Sequence, residues 1–226
     1  MSARARAGEA ARSGMKVIIH NAVSIDGRLT GFEVDMEQYY RLAGTWQEDA
    51  TLCGSGTILA APEGRRRERA GAGDWRPEPG DRRPLLVIAD SRGRVRCWQA
   101  LRRAGFWRDA VALCSRRTPA PYFDYLRAGR VDCIVAGRER VDLRAALRAL
   151  ADEYGARTVR SDSGGTLNGA LLAAGLASEV SLVVHPVVAG AGGVDFCARL
   201  GRAAPMRLAA VERLGRGLVW LRWRRA

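Results

Sequence analysis

The sequence predicts an α/β domain of three layers. Its central sheet is largely parallel, becomes mixed, and closes with a C-terminal antiparallel hairpin. Three observations predict this. Short β-branched apolar runs alternate with helical patterns from Lys16 onward, the signature of βαβ crossovers. Turns rich in glycine and serine follow several of those runs, at the strand ends where open α/β sheets bind ligands. Near the C-terminus two strand-like runs are joined by Gly215, Arg216 and Gly217, which read as a tight turn.

The elements follow in order. Residues 16–21 form a short β-branched run that reads as a buried strand, and the pair Asp26-Gly27 marks the turn beyond it. Residues 36–46 read as a helix, and 50–53 as a second buried strand running into the small-residue turn of Gly54, Ser55, Gly56 and Thr57. Residues 62–84 carry many glycines, prolines and charges and read as a surface loop. Strands follow at 85–90, 110–114 and 131–137, the last closed by Gly137. Asp142 reads as the N-cap of a helix to Tyr154, with Leu143, Leu147 and Leu150 on one face and Gly155 as its C-terminal stop. A sixth strand at 157–160 leads into a turn, then a helix patterned on Leu167, Leu171 and Ala174 and ended by Gly175. Residues 179–188 read as a long strand, and 206–214 with 218–223 as the final hairpin.

At 226 residues and 47% hydrophobic content the chain suits one domain over residues 15–226. Residues 1–14 carry Arg4, Arg6 and Arg12 without an apolar stretch, so they read as a disordered N-terminal extension and not a secretory signal. No apolar run approaches the roughly 20 residues of a spanning helix. The net charge is +13, but Lys16 is the only lysine and the arginines are scattered. A solvated surface with an attraction for phosphorylated small molecules is favoured over a nucleic-acid interface. The five cysteines form no CxxC pair and read as free thiols of a reducing cytoplasm. His20 and His185 read as satisfied strand histidines, and no spacing suggests a metal site. No Ser-His-Asp ordering supports hydrolysis.

The richest stretch is Asp162, Ser163, Gly164, Gly165, Thr166 and Leu167. A strand feeding a glycine turn that opens a helix presents backbone N–H groups and a positive dipole end to an anion, such as a nucleotide pyrophosphate. The small residues leave room for a phosphate to approach the main chain. The Gly54–Thr57 turn repeats the pattern more weakly, and neither matches a P-loop or the GxGxxG fingerprint. The turns after Cys53, Asp90, Ala136 and Asp162 belong at one end of the sheet, which adds Gly137 to the cofactor-side candidates. Asn21, Ser24, Asp26 and Gly27 lie past the first strand and suit a substrate's hydroxyls or ring nitrogens, or form a plain turn. Asp162 either orients a polar substrate or caps the next helix.

Four passages together carry a resemblance: Asn21 to Thr30 with its Ser24-Ile25-Asp26-Gly27 core, Gly54 to Leu59, Ala89-Asp90-Ser91, and Asp162 to Gly169 followed by His185-Pro186. The chain resembles the reductase family of riboflavin biosynthesis, whose fold is dihydrofolate reductase-like. That resemblance implies NADPH as hydride donor, a phosphorylated pyrimidine whose ribosylamino group is reduced to a ribitylamino group, and a homodimer. It places Gly54, Thr57 and the turn of Ser163, Gly164, Gly165, Thr166 and Leu167 on the cofactor. It places Asp90 and Ser91, with Arg92 as a further partner, at the adenosine ribose or its 2′-phosphate. Asn21, Ser24, Asp26 and Gly27 would line the substrate side. Hydride transfer does not oblige a protein proton relay; the candidates for one are Asp26 and Asp162. The chain departs from the family in carrying Asp162-Ser163 where Glu-Gly is usual, and Ala60-Ala61 where paired acids are usual. The zinc deaminase that often accompanies such reductases is not in this sequence, so a stand-alone reductase is expected. A pterin-like or specialised-metabolite substrate is the alternative, and a non-catalytic nucleotide or RNA binder is the rival from another class.

Overall fold

A computed structural model describes residues 14–69, 71 and 75–226. The extension expected at 1–14 lies, apart from Gly14, outside the described residues. In chain order the strands are β1 (Lys16–Ser24), β2 (Ala50–Gly54), β3 (Leu85–Ala89), β4 (Asp109–Cys114), β5 (Asp132–Val135), β6 (Thr158–Ser161), β7 (Glu179–His185), β8 (Met206–Arg213) and β9 (Val219–Arg225). The α-helices are α1 (Met36–Ala43), α2 (Ser55–Ala60), α3 (Trp98–Arg103), α4 (Ala120–Ala128), α5 (Leu143–Tyr154) and α6 (Gly165–Ala173). The chain divides into a first body, Met1–Glu48 with Arg157–Ala226, and a second, Asp49–Ala156.

In the first body the strand order is β6-β1-β7-β9-β8. β1 lies parallel to β6 and β7, with Ile19 opposite both Ser161 and Val180. β1 runs on through Ser24, three residues past the expected end, because Ala22 and Val23 are as buried as the run before them. A central parallel strand is covered on both faces, so its apolar residues are continuous and do not alternate. β9 pairs antiparallel with β7 and β8, as expected of the hairpin. β7 stops at His185, short of Val188. Asp35 caps α1 by accepting from the Gln38 amide, and α1 turns Tyr39, Leu42 and Ala43 inward. Leu42 packs with Val183, Leu218 and Trp220.

α6 departs from a simple stripe. Leu167 and Leu171 are buried, Ala174 is exposed, and Gly165, Asn168 and Gly169 also face inward. A Cβ on Gly165 would lie 2.1 Å from the Asp195 carbonyl oxygen, and one on Gly169 would lie 1.9 Å from that of Ala198. The two glycines therefore admit the chain's own segment 195–198 against the helix.

In the second body β5-β4-β3-β2 are all parallel, with Cys53, Ile88, Ala112 and Cys133 in successive register. The core gathers Leu86, Ile88, Trp98, Ala112, Tyr122 and Leu126. The Asp142 cap forms as expected, accepting from the amides of Arg144 and Ala145, and Gly155 takes the left-handed conformation at φ 69°. The helices α3 and α4 were not legible. No local side chain caps α3. Glu68 does so from the long loop, accepting from Gln99 N at 2.8 Å and Ala100 N at 2.7 Å. That loop also holds a 3-10 turn over Pro62–Arg65. Cys53, Cys97 and Cys114 are buried, while Cys133 and Cys197 are half-buried; none of the five is in a disulfide.

Candidate active site

In the first body, the parallel pairing of β6 with β1 brings the residues after both strands to one side. Asn21 is 7% exposed, and both ends of its amide are engaged. Nδ2 donates to the Ser163 carbonyl at 3.0 Å, and Oδ1 accepts from Asn168 Nδ2 at 2.9 Å. Asn168 Nδ2 also donates to the Phe196 carbonyl. Ser24 is buried; its hydroxyl donates to Asp26 Oδ1 at 2.6 Å and accepts from Arg28 N at 2.9 Å. Asp26 also accepts from the amides of Ala189 at 2.9 Å and Gly190 at 2.8 Å. Gly27 turns the chain at φ 75°, and its carbonyl accepts from Phe196 N. Arg28 pairs with Asp195.

The sequence expectation sets Asn21, Ser24 and Asp26 on the substrate side, and in this structure all three also bond within the chain. Their side chains tie the turn after β1 to α6 and to the loop that follows β7. The Ser24 hydroxyl, then the Ala189 amide, pull the Asp26 carboxyl down to about 2. A carboxylate so held is ionised at neutral pH and clamps the turn.

α6 begins at the N-cap Gly164 with no side-chain cap and no acidic residue in its first turn. The leading amides of a helix lack intrahelical partners, so this end suits an anion. Ser163 is buried and Thr166 is exposed. At Gly165 the bare α-carbon makes room for the Asp195 backbone, a constraint the sequence reading did not include.

Asp162 is held on both oxygens. Oδ1 accepts from the Tyr39 hydroxyl at 2.9 Å, and Oδ2 from Arg160 Nη1 at 3.2 Å. Arg160 in turn donates through Nε to Glu48 at 2.7 Å. Burial opposes the Arg160 charge, but Asp162 and Glu48 outweigh it and hold the guanidinium above its usual range. The Tyr39 ring stacks on His20 at 4.6 Å. Burial, then Asp162, push the Tyr39 phenol well up. His20 contacts the Tyr39 carbonyl through Nε2 at 3.2 Å and Ser181 Oγ through Nδ1 at 2.9 Å. A carbonyl only accepts, so these partners assign the proton to Nε2. Burial, then Arg160, drive the His20 pKa down to about 4. His185 likewise is satisfied, accepting from Asp35 N and contacting the Val183 carbonyl.

In the second body, Asp90 is fully buried and accepts from Arg94 N at 2.6 Å and Val95 N at 2.8 Å. Through Oδ2 it organises the turn after β3, while Oδ1 has no hydrogen-bond partner among the described residues. Ser91 Oγ accepts from Val141 N at 2.9 Å, and Arg94 donates to Ser55 Oγ at 3.0 Å. Gly137 sits at φ 85°, where a Cβ would lie 2.2 Å from the Arg140 carbonyl oxygen. Its glycine is therefore a requirement of the 137–142 turn. Gly54 is the N-cap of α2, and Thr57 and Arg92 are exposed.

Sequence reasoning missed Glu48, Tyr39 and Arg160. Only Arg160 left a signal, as a charge inside an apolar strand. Among the described residues no group of three or more metal-ligating side chains assembles, and no helix is long and apolar enough to cross a membrane.

The sequence and fold have counterparts among known proteins. The sequence model of the RibD C-terminal domain family matches residues 15–220. The chain belongs to that family. It is 30% identical over 182 residues to the 2,5-diamino-6-ribosylamino-4(3H)-pyrimidinone 5′-phosphate reductase of Methanothermobacter thermautotrophicus, covering 77% of this chain and 79% of that one. The riboflavin biosynthesis reductase Rib7 of Saccharomyces cerevisiae shares the fold, with a TM-score of 0.68 at 18% identity, over 94% of this chain and 90% of that one. Acinetobacter baumannii RibD also shares it, with a TM-score of 0.65 at 17% identity; the match covers 96% of this chain but 60% of that longer one. These likenesses place the chain in the dihydrofolate reductase-like fold, with its mixed, mostly parallel sheet and C-terminal antiparallel hairpin.

Proposed function

We propose that this chain is the NADPH-dependent reductase of 2,5-diamino-6-ribosylamino-4(3H)-pyrimidinone 5′-phosphate or the closely related 5-amino-6-(5-phosphoribosylamino)uracil. The observation that carries the reading is the family match over residues 15–220, together with the Methanothermobacter relative of that named activity. The α6 N-terminus supports the cofactor assignment, because it has neither a side-chain cap nor a first-turn acid to compete with a pyrophosphate. In this reading the main chain of Ser163, Gly164, Gly165, Thr166 and Leu167 takes the pyrophosphate. Gly54, Thr57, Asp90, Ser91, Arg92 and Gly137 remain the further cofactor candidates. When bound, the reduced nicotinamide supplies a hydride.

The chain's own residues then bind and orient. Asn21, Ser24 and Asp26 act one step back, by fixing the Ser163 carbonyl and the loop around Gly190. Asp162 is the carboxylate that reaches solvent beside the glycine turn and is assigned to the substrate. A homodimer and a cytoplasmic location belong to the same reading. The exposed Leu208 and Val211 on β8 support the first, and the cysteines, none of them in a disulfide, support the second.

The test is turnover. Purified protein should oxidise NADPH when given either ribosylaminopyrimidine phosphate, followed by the loss of near-ultraviolet absorbance. NADPH binding with turnover of a pterin alone would move the assignment to another substrate. Salt-sensitive RNA binding without NADPH binding would remove the enzyme reading altogether.

A further inference from the structure

The buried network beneath Asp162 is more than packing requires. Glu48 and Arg160 have side chains 8% and 7% exposed and already neutralise each other. Asp162 adds a second carboxylate to that one guanidinium, at 29% exposure. A third ion beside a balanced pair adds desolvation cost. Tyr39 is 5% exposed and is delivered by α1, whose inward face is otherwise apolar. Its hydroxyl proton is shared between the His20 carbonyl at 3.0 Å and Asp162 Oδ1 at 2.9 Å. The bond to the carboxylate is the stronger of the two. With Arg160 on Oδ2, the carboxylate is gripped at both oxygens from residues beneath it, so its rotamer is fixed before any ligand arrives.

We propose that Tyr39 is a positioning residue for the reduction: its hydroxyl, with Arg160, holds the Asp162 carboxylate so that its outer edge accepts a hydrogen bond from an N–H or O–H group of the substrate. The inference rests on the reductase reading above. Tyr39 touches neither substrate nor cofactor in this scheme; it acts through Asp162.

The experiment is a double-mutant cycle in the full chain, with NADPH and the ribosylaminopyrimidine phosphate. Tyr39→Phe keeps the ring on His20 and removes only the hydroxyl. It should lower kcat/KM for the pyrimidine by about tenfold, as expected for one hydrogen bond to a charged group. NADPH affinity should stay within about twofold of wild type, which also reports that the fold is intact. Asp162→Asn should lose more than Tyr39→Phe, and adding Tyr39→Phe to it should change nothing further. Three results would overturn the proposal. They are a Tyr39→Phe enzyme equal to wild type, losses that multiply in the double variant, and a parallel loss of NADPH affinity, which marks a structural role. If wild type itself does not oxidise NADPH with either pyrimidine, the reductase reading fails first and this proposal falls with it.

Discussion

The strand ends of the two bodies use similar residues in opposite ways. After β1 and β6, in the first body, Asn21, Ser24 and Asp26 are all engaged by neighbouring side chains and amides. Under the proposed reading, the main chain at the start of α6 and the anchored Asp162 carboxylate meet the ligands there. After β2 and β3, in the second body, Asp90 holds its own turn through Oδ2, but Thr57 and Arg92 stand exposed. The difference teaches that a polar residue in a motif is as often the frame as the contact. Burial decides which, because a buried polar group has to find partners within the protein.

Glycine substitutions break the comparison most sharply. Gly165→Val should be the most damaging change, because its Cβ would collide with Asp195 backbone. A loss of about 3 kcal/mol or more is expected on overpacking so close to a main chain, read as the denaturation midpoint. A variant that folds normally and merely fails to bind cofactor would support the ligand-space explanation of this glycine.

The Asp26 clamp gives a pH test. Its folded pKa of about 2 lies below the ordinary carboxylate value, so its contribution is full above the unfolded pKa near 3.8. That contribution should fade as pH falls from about 4 to about 2. Asp26→Asn should be less stable at neutral pH and should lose less on acidification. Parallel pH profiles for the two proteins would show that the clamp contributes nothing.

Under the NADPH reading, Arg92→Ala should weaken NADPH binding several-fold while leaving NADH nearly unchanged, and added salt should shrink the difference. Equal losses for both nucleotides would move Arg92 away from the extra phosphate. Gly56→Ala should have the smallest effect: the position is exposed in α2 with open space around its Cβ. A gain of about 0.5–1 kcal/mol in unfolding free energy is expected from helix propensity.

Much of the fold was legible because its signals are local. Apolar runs such as Leu85 to Ile88, the Asp142 cap and the Gly155 stop are decided by residues within a few positions. The helix α3 was not legible, since its cap, Glu68, comes from a loop some thirty residues upstream. The candidate site divides in the same way. The glycine turn and its helix can be read from Ser163 to Leu167, whereas the network of Tyr39, Glu48, Arg160 and Asp162 unites residues more than a hundred positions apart.

The sequence by itself determined the alternation of strands and helices, the family, and the turn able to meet an anion, because periodicity, caps and glycine turns act along the chain. Only the tertiary structure decided which polar groups hold the frame and which are left to face a ligand. Strand register brings distant residues into hydrogen-bonding reach, and each bond made there removes a side chain from the set available for chemistry.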